Sequence, residues 1–199
     1  MDDRLFEAVN RFAGATPWLH TVVGGYASYG VAVFAVLLLA GWWIVRRSGA
    51  PTRMAGVICA GAATLVAVAL NQPIVHAVAR PRPYTVHPDL VVLAHRSGDF
   101  SFPSDHATMA GAVAVGLLLV SRRLGLVAVA AAVAMAGARV YVGAHYPGDV
   151  AAGLLLGGLV AALLYAACRT VLARLVVAAG GTRLRPLLAP APTPAGAAS

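Results

Sequence analysis

Eight polar residues with chemically useful side chains stand in three short segments of an otherwise apolar chain. The segments are "ARPRPY" (79–84), "PSDH" (103–106) and "ARVYVGAHYPGD" (138–149). Charged and imidazole groups are costly near hydrocarbon, so they lie at a membrane surface or are retained for function. The candidate site residues are Arg80, Arg82, Ser104, Asp105, His106, Arg139, His145 and Asp149.

Three of these residues suit the binding of a phosphate group. Arg82 and Arg139 provide paired N–H donors whose geometry matches phosphate oxygens, and their charge is permanent. Ser104 is predicted at the start of a helix, where free backbone N–H groups and the helix dipole favour an anion. Together they predict an anion site.

Three other residues of the set, His106, His145 and Asp149, suit a covalent mechanism on phosphorus. Asp149 lies four residues after His145, and "YPG" interrupts the chain between them. We therefore expect Asp149 to begin a helix and to accept a hydrogen bond from one nitrogen of His145. The other nitrogen is then free as a nucleophile. His106, on a different helix, could protonate the leaving oxygen.

Each of these residues also has a purely structural interpretation. Ser104 and Asp105 follow a proline and suit a helix cap, as does Asp149, which could cap a helix and orient a histidine at once. Arg80 and Arg82 could simply contact lipid headgroups, and a single histidine at a membrane surface is more often structural than catalytic. Their joint occurrence on one face favours a single site.

Neither the histidines nor the cysteines form a recognisable metal-binding pattern. The spacings of five histidines fit no compact zinc site. The two cysteines lie inside apolar runs and suit packing. We therefore expect no metal and no cofactor. These residues are His76, His87, His95, His106 and His145, with Cys59 and Cys168.

The elements that position the site are predicted to be membrane-spanning helices. The chain has 199 residues, 60% of them hydrophobic, and a mean hydropathy of +0.80. A soluble domain has about 45–50% apolar residues. Uncharged stretches of membrane-spanning length recur here, which predicts an all-α, polytopic bundle of five to six transmembrane helices. All 15 basic residues are arginines in short loops, a placement that favours membrane topology over nucleic-acid binding.

Five spans account for the hydropathy, at about 21–45, 54–79, 104–121, 124–143 and 149–168. Ahead of them, Leu5, Phe6, Val9 and Phe12 recur at helical spacing, which predicts an interfacial N-terminal helix. We assign 1–178 to one membrane domain with a motif core at 71–157. The Pro- and Ala-rich tail, 179–199, is predicted to be disordered. Glycines at 111, 153 and 157 predict close helix packing.

The distribution of arginines predicts the orientation. Nine arginines lie on one side of the predicted bundle and six on the other, so the nine-arginine side should be cytoplasmic. The three polar segments then meet on the extracytoplasmic face of the plasma membrane. The nine are Arg46, Arg47, Arg53, Arg122, Arg123, Arg169, Arg174, Arg183 and Arg185; the six are Arg4, Arg11, Arg80, Arg82, Arg96 and Arg139.

The three segments resemble the signature of the type 2 phosphatidic acid phosphatase superfamily, which reads K-x6-RP, then PSGH, then SR-x5-H-x3-D. Arg82-Pro83 resembles the first motif and Pro103 to His106 the second. The third motif is matched at the right spacing by Arg139, His145 and Asp149. The last two motifs in this order are specific, whereas RP alone is not.

This resemblance implies roles for the residues and a metal-independent reaction. His145 is implied to be the nucleophile that becomes phosphorylated, Asp149 to orient it, and His106 to act as the acid. Backbone N–H groups would hold the phosphate together with the side chains of Arg82, Ser104 and Arg139.

The sequence departs from the family signature at three positions. Val75 stands at the position of the family lysine, for which Arg80 or His76 could substitute. Ala138 replaces the serine before the third-motif arginine. Asp105 replaces the glycine of PSGH, and its carboxylate should repel a phosphate unless it faces away or pairs with an arginine.

A branch of the family carries similar departures. "NQPI", "RPRPY" and "FPSDHAT" are similar to the bacitracin-resistance type of undecaprenyl diphosphate phosphatase, whose members tend to have Asp in the second motif and to lack the lysine. Asn71 and Gln72 of "NQPI" could line the cleft or hydrogen-bond neighbouring helices.

The resulting functional hypothesis is a membrane lipid phosphatase that hydrolyses undecaprenyl or decaprenyl diphosphate to the monophosphate. One alternative keeps the chemistry and changes the lipid to phosphatidic acid, phosphatidylglycerol phosphate or another prenyl phosphate. Another is a non-catalytic lipid transporter or membrane scaffold. The expected partners are a lipid phosphate and the membrane, without nucleic acid; the oligomeric state is left open.

Overall fold

The computed structural model describes residues 2–87 and 89–189, and its regular elements within these ranges are all helices. A 3-10 turn at Pro17–Leu19 separates the first two helices. The helices are α1 Asp2–Ala15, α2 His20–Tyr29, α3 Val31–Ser48, α4 Pro51–Val78, α5 Pro83–Val86, α6 Asp105–Leu118, α7 Arg122–Tyr141, α8 Pro147–Ala179 and α9 Arg185–Leu188.

Four of these helices, α3, α4, α7 and α8, are long and apolar enough to cross a membrane. The third predicted span, 104–121, corresponds to α6, an apolar helix of 14 residues. At 1.5 Å per residue it is about 21 Å long, shorter than the roughly 30 Å of bilayer hydrocarbon. The predicted all-α, multi-pass membrane bundle is therefore confirmed, with one short helix inside it.

The first predicted span differs from the structure because it is divided at Gly30 into α2 and α3. A Cβ atom at Gly30 would lie 2.4 Å from the carbonyl oxygen of Tyr26 and 2.6 Å from the Met135 side chain. At this point the chain therefore packs closely against its own preceding turn and against α7.

The short helix α6 is the centre of the bundle and packs against α4, α7 and α8. It runs alongside α8 with the two backbones in contact. A Cβ at Gly157 would lie only 1.9 Å from the carbonyl oxygen of Thr108. A Cβ at Gly111 would lie 2.3 Å from the carbonyl oxygen of Leu154. The predicted close packing at these glycines is confirmed, and it brings the first turns of α6 and α8 together.

The amphipathic helix α1 packs over the end of the bundle where these first turns lie. Phe6 is buried, with its ring centroid 5.2 Å from that of Tyr146. Asn10 exchanges two hydrogen bonds with the backbone of Val91, at 2.8 and 3.2 Å. Leu5 and Phe12 on the opposite side of the helix remain exposed. The helix thus ties the N-terminal segment to the long loop between α5 and α6.

The C-terminal segment lies at the end of the bundle opposite α1, beside the last turns of α3. The indole N–H of Trp42 donates to the carbonyl oxygen of Leu187 at 2.9 Å, and Arg46 donates to that of Pro186. Residues 190–199 of the tail, predicted to be disordered, lie outside the described residues.

Candidate active site

The three predicted polar segments meet in a small polar cavity at the α1 end of the bundle. Its volume is about 150 Å³. Its walls come from the segment that caps α5, from the loop before α6, from the first turn of α6 and from the end of α7 with the turn that follows. The lining residues are Arg82, Ser97, Asp99, Phe100, Pro103, Asp105, His106, Arg139 and His145.

His145 lies in the turn between α7 and α8 and is 2% exposed. Its Nδ1 atom is 2.8 Å from the carbonyl oxygen of Ser101. A carbonyl only accepts hydrogen bonds, so this contact assigns the proton of a neutral ring to Nδ1. The Nε2 lone pair then faces Nη1 of Arg82 at 3.2 Å and Nη2 of Arg139 at 3.4 Å.

The electrostatic surroundings keep this imidazole neutral. Burial, followed by the charges of Arg139 and Arg82, holds the pKa of His145 well below its ordinary value. Each of these influences penalises the imidazolium form. A buried, neutral imidazole with a directed lone pair beside two cations is suited to attack an anionic phosphorus centre.

Asp149 does not make the hydrogen bond to His145 that we expected. Its Oδ2 atom is 3.9 Å from Nδ1 of His145, too far for a hydrogen bond. Instead, Oδ2 accepts from the backbone N–H of Tyr146 at 2.8 Å, and Oδ1 accepts from Nη1 of Arg80 at 2.7 Å. Because α8 begins at Pro147, the carboxylate turns back onto the start of its own helix. Asp149 therefore holds the turn, and the carbonyl of Ser101 orients the ring.

Arg80 lies outside the cavity. Its guanidinium binds Asp2 Oδ2 at 2.8 Å as well as Asp149, and it stacks 3.9 Å above the ring centroid of Tyr146. Asp2 also accepts a hydrogen bond from the backbone N–H of Gly148 at 2.8 Å. The first turn of α1 is thus joined to the turn that carries the nucleophile candidate. Sequence reasoning missed Asp2, for which only its position in an acidic first turn could have served as a signal.

His76, the other predicted substitute for the family lysine, also lies outside the cavity. Its ring packs edge-on against Phe100 with 6.3 Å between centroids. Among the described residues that line the cavity, the cations are therefore Arg82 and Arg139.

Asp105 lines the cavity without pairing with an arginine. Its Oδ1 atom accepts hydrogen bonds from the side-chain amides of Asn71, at 2.6 Å, and Gln72, at 2.9 Å. Asn71 is fully buried in α4 and also donates to the carbonyl oxygen of Pro103 at 3.1 Å. The "NQ" pair therefore bonds to a neighbouring helix, as one of our alternatives predicted. It stabilises a carboxylate at a position where the family has glycine.

Ser104 is fully buried at the N-cap of α6, behind the cavity wall. Its backbone N–H donates to the carbonyl oxygen of Asp149 at 3.1 Å, and its own carbonyl accepts from Thr108. The hydroxyl Oγ has no hydrogen-bond partner among the described residues. His106 lines the cavity from the first turn of the same helix.

Asp99 is a site residue that sequence reasoning missed. Its Oδ1 atom lies 2.9 Å from Nη2 and 3.1 Å from Nε of Arg82. Burial raises the pKa of Asp99, but the hydrogen bond from Ser97 and the charge of Arg82 outweigh it, so the pKa lies below its ordinary value. An ionised carboxylate thus occupies one edge of a guanidinium predicted to bind phosphate. The loop sequence carries no motif that identifies it.

Within 2–87 and 89–189, no group of three or more His, Cys, Asp or Glu side chains is arranged to hold a metal ion. The geometry that the site does offer is an imidazole nitrogen between two arginines, with a second histidine in the same cavity. Such an arrangement can bind a phosphate group and attack its phosphorus atom.

Comparison with known proteins identifies the class. The family model described as "PAP2 superfamily" matches residues 56–172, so the chain belongs to that superfamily. Relatives that it matches are named phosphatases or diphosphatases, and four of its helices are long and apolar enough to cross a membrane. The chain is therefore a multi-pass membrane lipid phosphatase, and the predicted family membership is confirmed.

Two relatives and one solved structure illustrate the likeness. The chain is 29% identical over 164 residues to "Undecaprenyl-diphosphatase BcrC" of Bacillus subtilis, covering 82% of this chain and 80% of the relative. It is 40% identical over 127 residues to "Decaprenylphosphoryl-5-phosphoribose phosphatase" of Mycobacterium tuberculosis, covering 62% and 69%. The crystal structure of a transmembrane PAP2 type phosphatidylglycerolphosphate phosphatase from Bacillus subtilis matches with a TM-score of 0.61. It is 25% identical and covers 82% of this chain and 84% of that one.

Proposed function

We propose that this protein hydrolyses a polyprenyl diphosphate to the monophosphate through a phosphohistidine intermediate. The observation that carries the proposal is the placement of His145 Nε2 within 3.4 Å of guanidinium nitrogens of both Arg82 and Arg139. His106 lines the same cavity and is available to transfer the proton.

In the first step, Nε2 of His145 attacks the terminal phosphorus as the bond from phosphorus to the bridging oxygen breaks. Arg82 and Arg139 bind the phosphoryl oxygens, on which charge accumulates in the transition state. His106 gives its proton to the bridging oxygen, so the lipid monophosphate leaves. Because Asp99 neutralises Arg82 in the free enzyme, the incoming phosphate replaces that carboxylate.

In the second step, water attacks the phosphorus atom and the bond to Nε2 breaks. The deprotonated His106 accepts a proton from this water, which restores it for the next cycle. The hydrogen bond from Nδ1 of His145 to the Ser101 carbonyl stabilises the imidazole while Nε2 carries the phosphoryl group. Inorganic phosphate and the starting enzyme result.

The size and polarity of the cavity favour a substrate of which only the phosphate head enters the site. The cavity is polar and small, at about 150 Å³, whereas the helices around it expose large apolar side chains to the bilayer. A long prenyl tail would therefore lie against the helices, outside the polar cavity. A relative named as an undecaprenyl-diphosphatase supports a diphosphate head.

The side of the membrane is part of the proposal. The nine arginines at the other end of the bundle would be cytoplasmic by the positive-inside rule, and the cavity would face outside the plasma membrane. Accessibility of a single cysteine introduced at exposed Thr52, read with a membrane-impermeant thiol reagent in intact cells, tests this orientation. Labelling of intact cells at this position would reverse it.

The direct test is phosphate release from undecaprenyl diphosphate in detergent with EDTA present. We expect release by the wild type and a loss of at least about a thousandfold in His145→Ala, since a nucleophile has no substitute. His76→Ala, a histidine outside the cavity, is the matched control and should keep wild-type activity. Acid-labile, base-stable radiolabel on the protein during turnover would identify the phosphohistidine. Activity that survives in His145→Ala would overturn the mechanism.

A second candidate substrate is a prenyl phosphate that carries a phosphorylated sugar. The observation that favours it is the 40% identity to a relative named for such a lipid. The reaction at phosphorus is the same, but the leaving group is a sugar hydroxyl instead of a lipid phosphate. Parallel kcat/KM values for the two lipids, with phosphatidic acid and phosphatidylglycerol phosphate as further members of the panel, decide between them.

A further inference from the structure

A second cavity lies at the end of the bundle opposite the candidate active site. Its volume is about 560 Å³, and it opens between the first turn of α4 and the last third of α8. Its walls are largely apolar, with two arginines and two threonines among them. The lining residues are Pro51, Thr52, Tyr165, Arg169, Thr170, Ala173, Arg174 and Val177.

The helix geometry places this cavity at the other membrane surface. Arg169 follows Asp149 by 20 residues on the continuous helix α8. At 1.5 Å per residue the two are about 30 Å apart along the axis, the thickness of bilayer hydrocarbon. Since Asp149 lies beside the active-site cavity, Arg169 is at the headgroup level of the opposite leaflet.

This end of the bundle carries positive charge without side-chain carboxylates. The seven acidic residues of the chain are confined to 2–7 and 89–149, in α1, in the loop before α6 and at the starts of α6 and α8. Every ion pair in the described part of the chain lies at that active-site end. Arg169 packs 5.6 Å above the ring of Tyr165, and its charge is available to an anion from outside the chain.

We propose that this cavity binds an anionic phospholipid of the leaflet opposite the active site. Its phosphate would be held by Arg169 and Arg174, with the hydroxyls of Thr52 and Thr170 at the same level, and an acyl chain would pack against Tyr165, Ala173 and Val177. Guanidinium forks match phosphate oxygens, and the apolar wall suits a chain that free phosphate lacks. A bound lipid bridges α4 and α8, the helices that carry Asn71 and Asp149 at the other end.

The test is lipid binding by delipidated protein in detergent, read by native mass spectrometry and by the rise in Tm. We expect phosphatidylglycerol to bind more tightly than phosphatidylcholine. Each arginine at a membrane surface contributes about 1 kcal/mol toward anionic lipid, so Arg169→Gln/Arg174→Gln should bind phosphatidylglycerol roughly 30-fold more weakly. Arg122→Gln/Arg123→Gln removes the same charge outside the cavity and should keep wild-type affinity.

Two further measurements distinguish binding of the whole lipid from binding of its headgroup alone, and a direct loss of binding from a loss of folding. Ala173→Trp fills the apolar part while both arginines remain, and it should also weaken lipid binding. Phosphatase activity, which arises at the other end of the bundle, reports whether each variant is folded. The proposal is overturned by an equal loss in the Arg122/Arg123 control, by equal affinity for phosphatidylcholine, or by glycerol 3-phosphate binding as tightly as the lipid. It is also overturned by full binding to Ala173→Trp.

Discussion

Replacing Asn71 by Leu should destabilise the protein, chiefly because it removes a buried hydrogen-bond donor to the carboxylate of Asp105 on another helix. The buried Asn71 amide donates to Asp105 Oδ1 at 2.6 Å and to the Pro103 carbonyl at 3.1 Å. Leucine has a similar volume and no donor, so both acceptors lose a partner. A hydrogen bond to a charged group contributes about 1.5–3 kcal/mol and one to a neutral carbonyl about 1 kcal/mol. The expected loss in the free energy of unfolding is therefore about 2.5–4 kcal/mol.

A double-mutant cycle separates the two contributions. In an Asp105→Ala background the charged acceptor is absent, and Asn71→Leu should then cost only about 1 kcal/mol for the Pro103 carbonyl. The coupling energy between positions 71 and 105 should consequently be about 1.5–3 kcal/mol. Gln72→Leu, which removes the exposed donor to the same carboxylate, is the control and should change stability by at most about 0.5 kcal/mol.

The assay is reversible unfolding in mixed detergent micelles for all four members of the cycle, with kcat/KM measured beside it. Additive effects at positions 71 and 105, with a coupling energy below about 0.5 kcal/mol, would refute the reasoning. In that case the hydrogen bond to the carboxylate contributes nothing beyond what water supplies. The presence of Asp105, where the family motif has glycine, would then be unrelated to Asn71.

Four further outcomes follow from other contacts of the site. Asp2→Asn breaks the ion pair to Arg80 and should lower kcat about threefold to tenfold, whereas the exposed neighbour Asp3→Asn should not; equal effects of the two would contradict this role. Asp99→Asn removes the carboxylate that competes with phosphate for Arg82, so KM should fall up to about fivefold; a rise in KM would show that Asp99 assists binding. The depressed pKa of His145 keeps this proposed nucleophile neutral, so the acid limb of kcat/KM should lie well below pH 6.5. The same group binds a proton more readily in the unfolded chain. Its contribution to stability is complete above its unfolded pKa and is lost as the pH falls below that value. His145→Gln should therefore reduce the change of the free energy of unfolding with pH in this range.

The membrane bundle and its family could be predicted from sequence because their signals are local. Long uncharged runs allow few structures in a bilayer other than helices, since every backbone polar group must be satisfied within the segment. The motifs around His106, Arg139 and His145 keep a spacing that places them at helix ends on one side of the membrane. Hydropathy alone did not reveal the break at Gly30, because the segments on both sides of it are apolar and hydropathy does not register where a helix is interrupted.

The hydrogen bonds that orient the candidate nucleophile depend on tertiary structure. We expected Asp149 to bind His145 because four residues separate them, yet the partner of Nδ1 is the carbonyl of Ser101, 44 positions away. Likewise, Arg80 lies beside the first motif but forms an ion pair with Asp2. The two residues are 78 positions apart, so the sequence gives no sign of this pair. Pairwise contacts of this kind follow from how helices cross, and periodicity carries no information about them.

By itself, then, the sequence determined the class of protein, the approximate extent of most of its apolar helices, and the residues that gather at one end. Only the tertiary structure decided which of those residues face the cavity. Arg82, Arg139, His106 and His145 line it, Arg80 and Asp149 brace the turn behind it, and Asp99 enters from the loop. The physical reason is the range of the interactions. Burial and helix formation are encoded within a few residues, whereas the direction of a polar side chain depends on partners brought close only by the packed bundle.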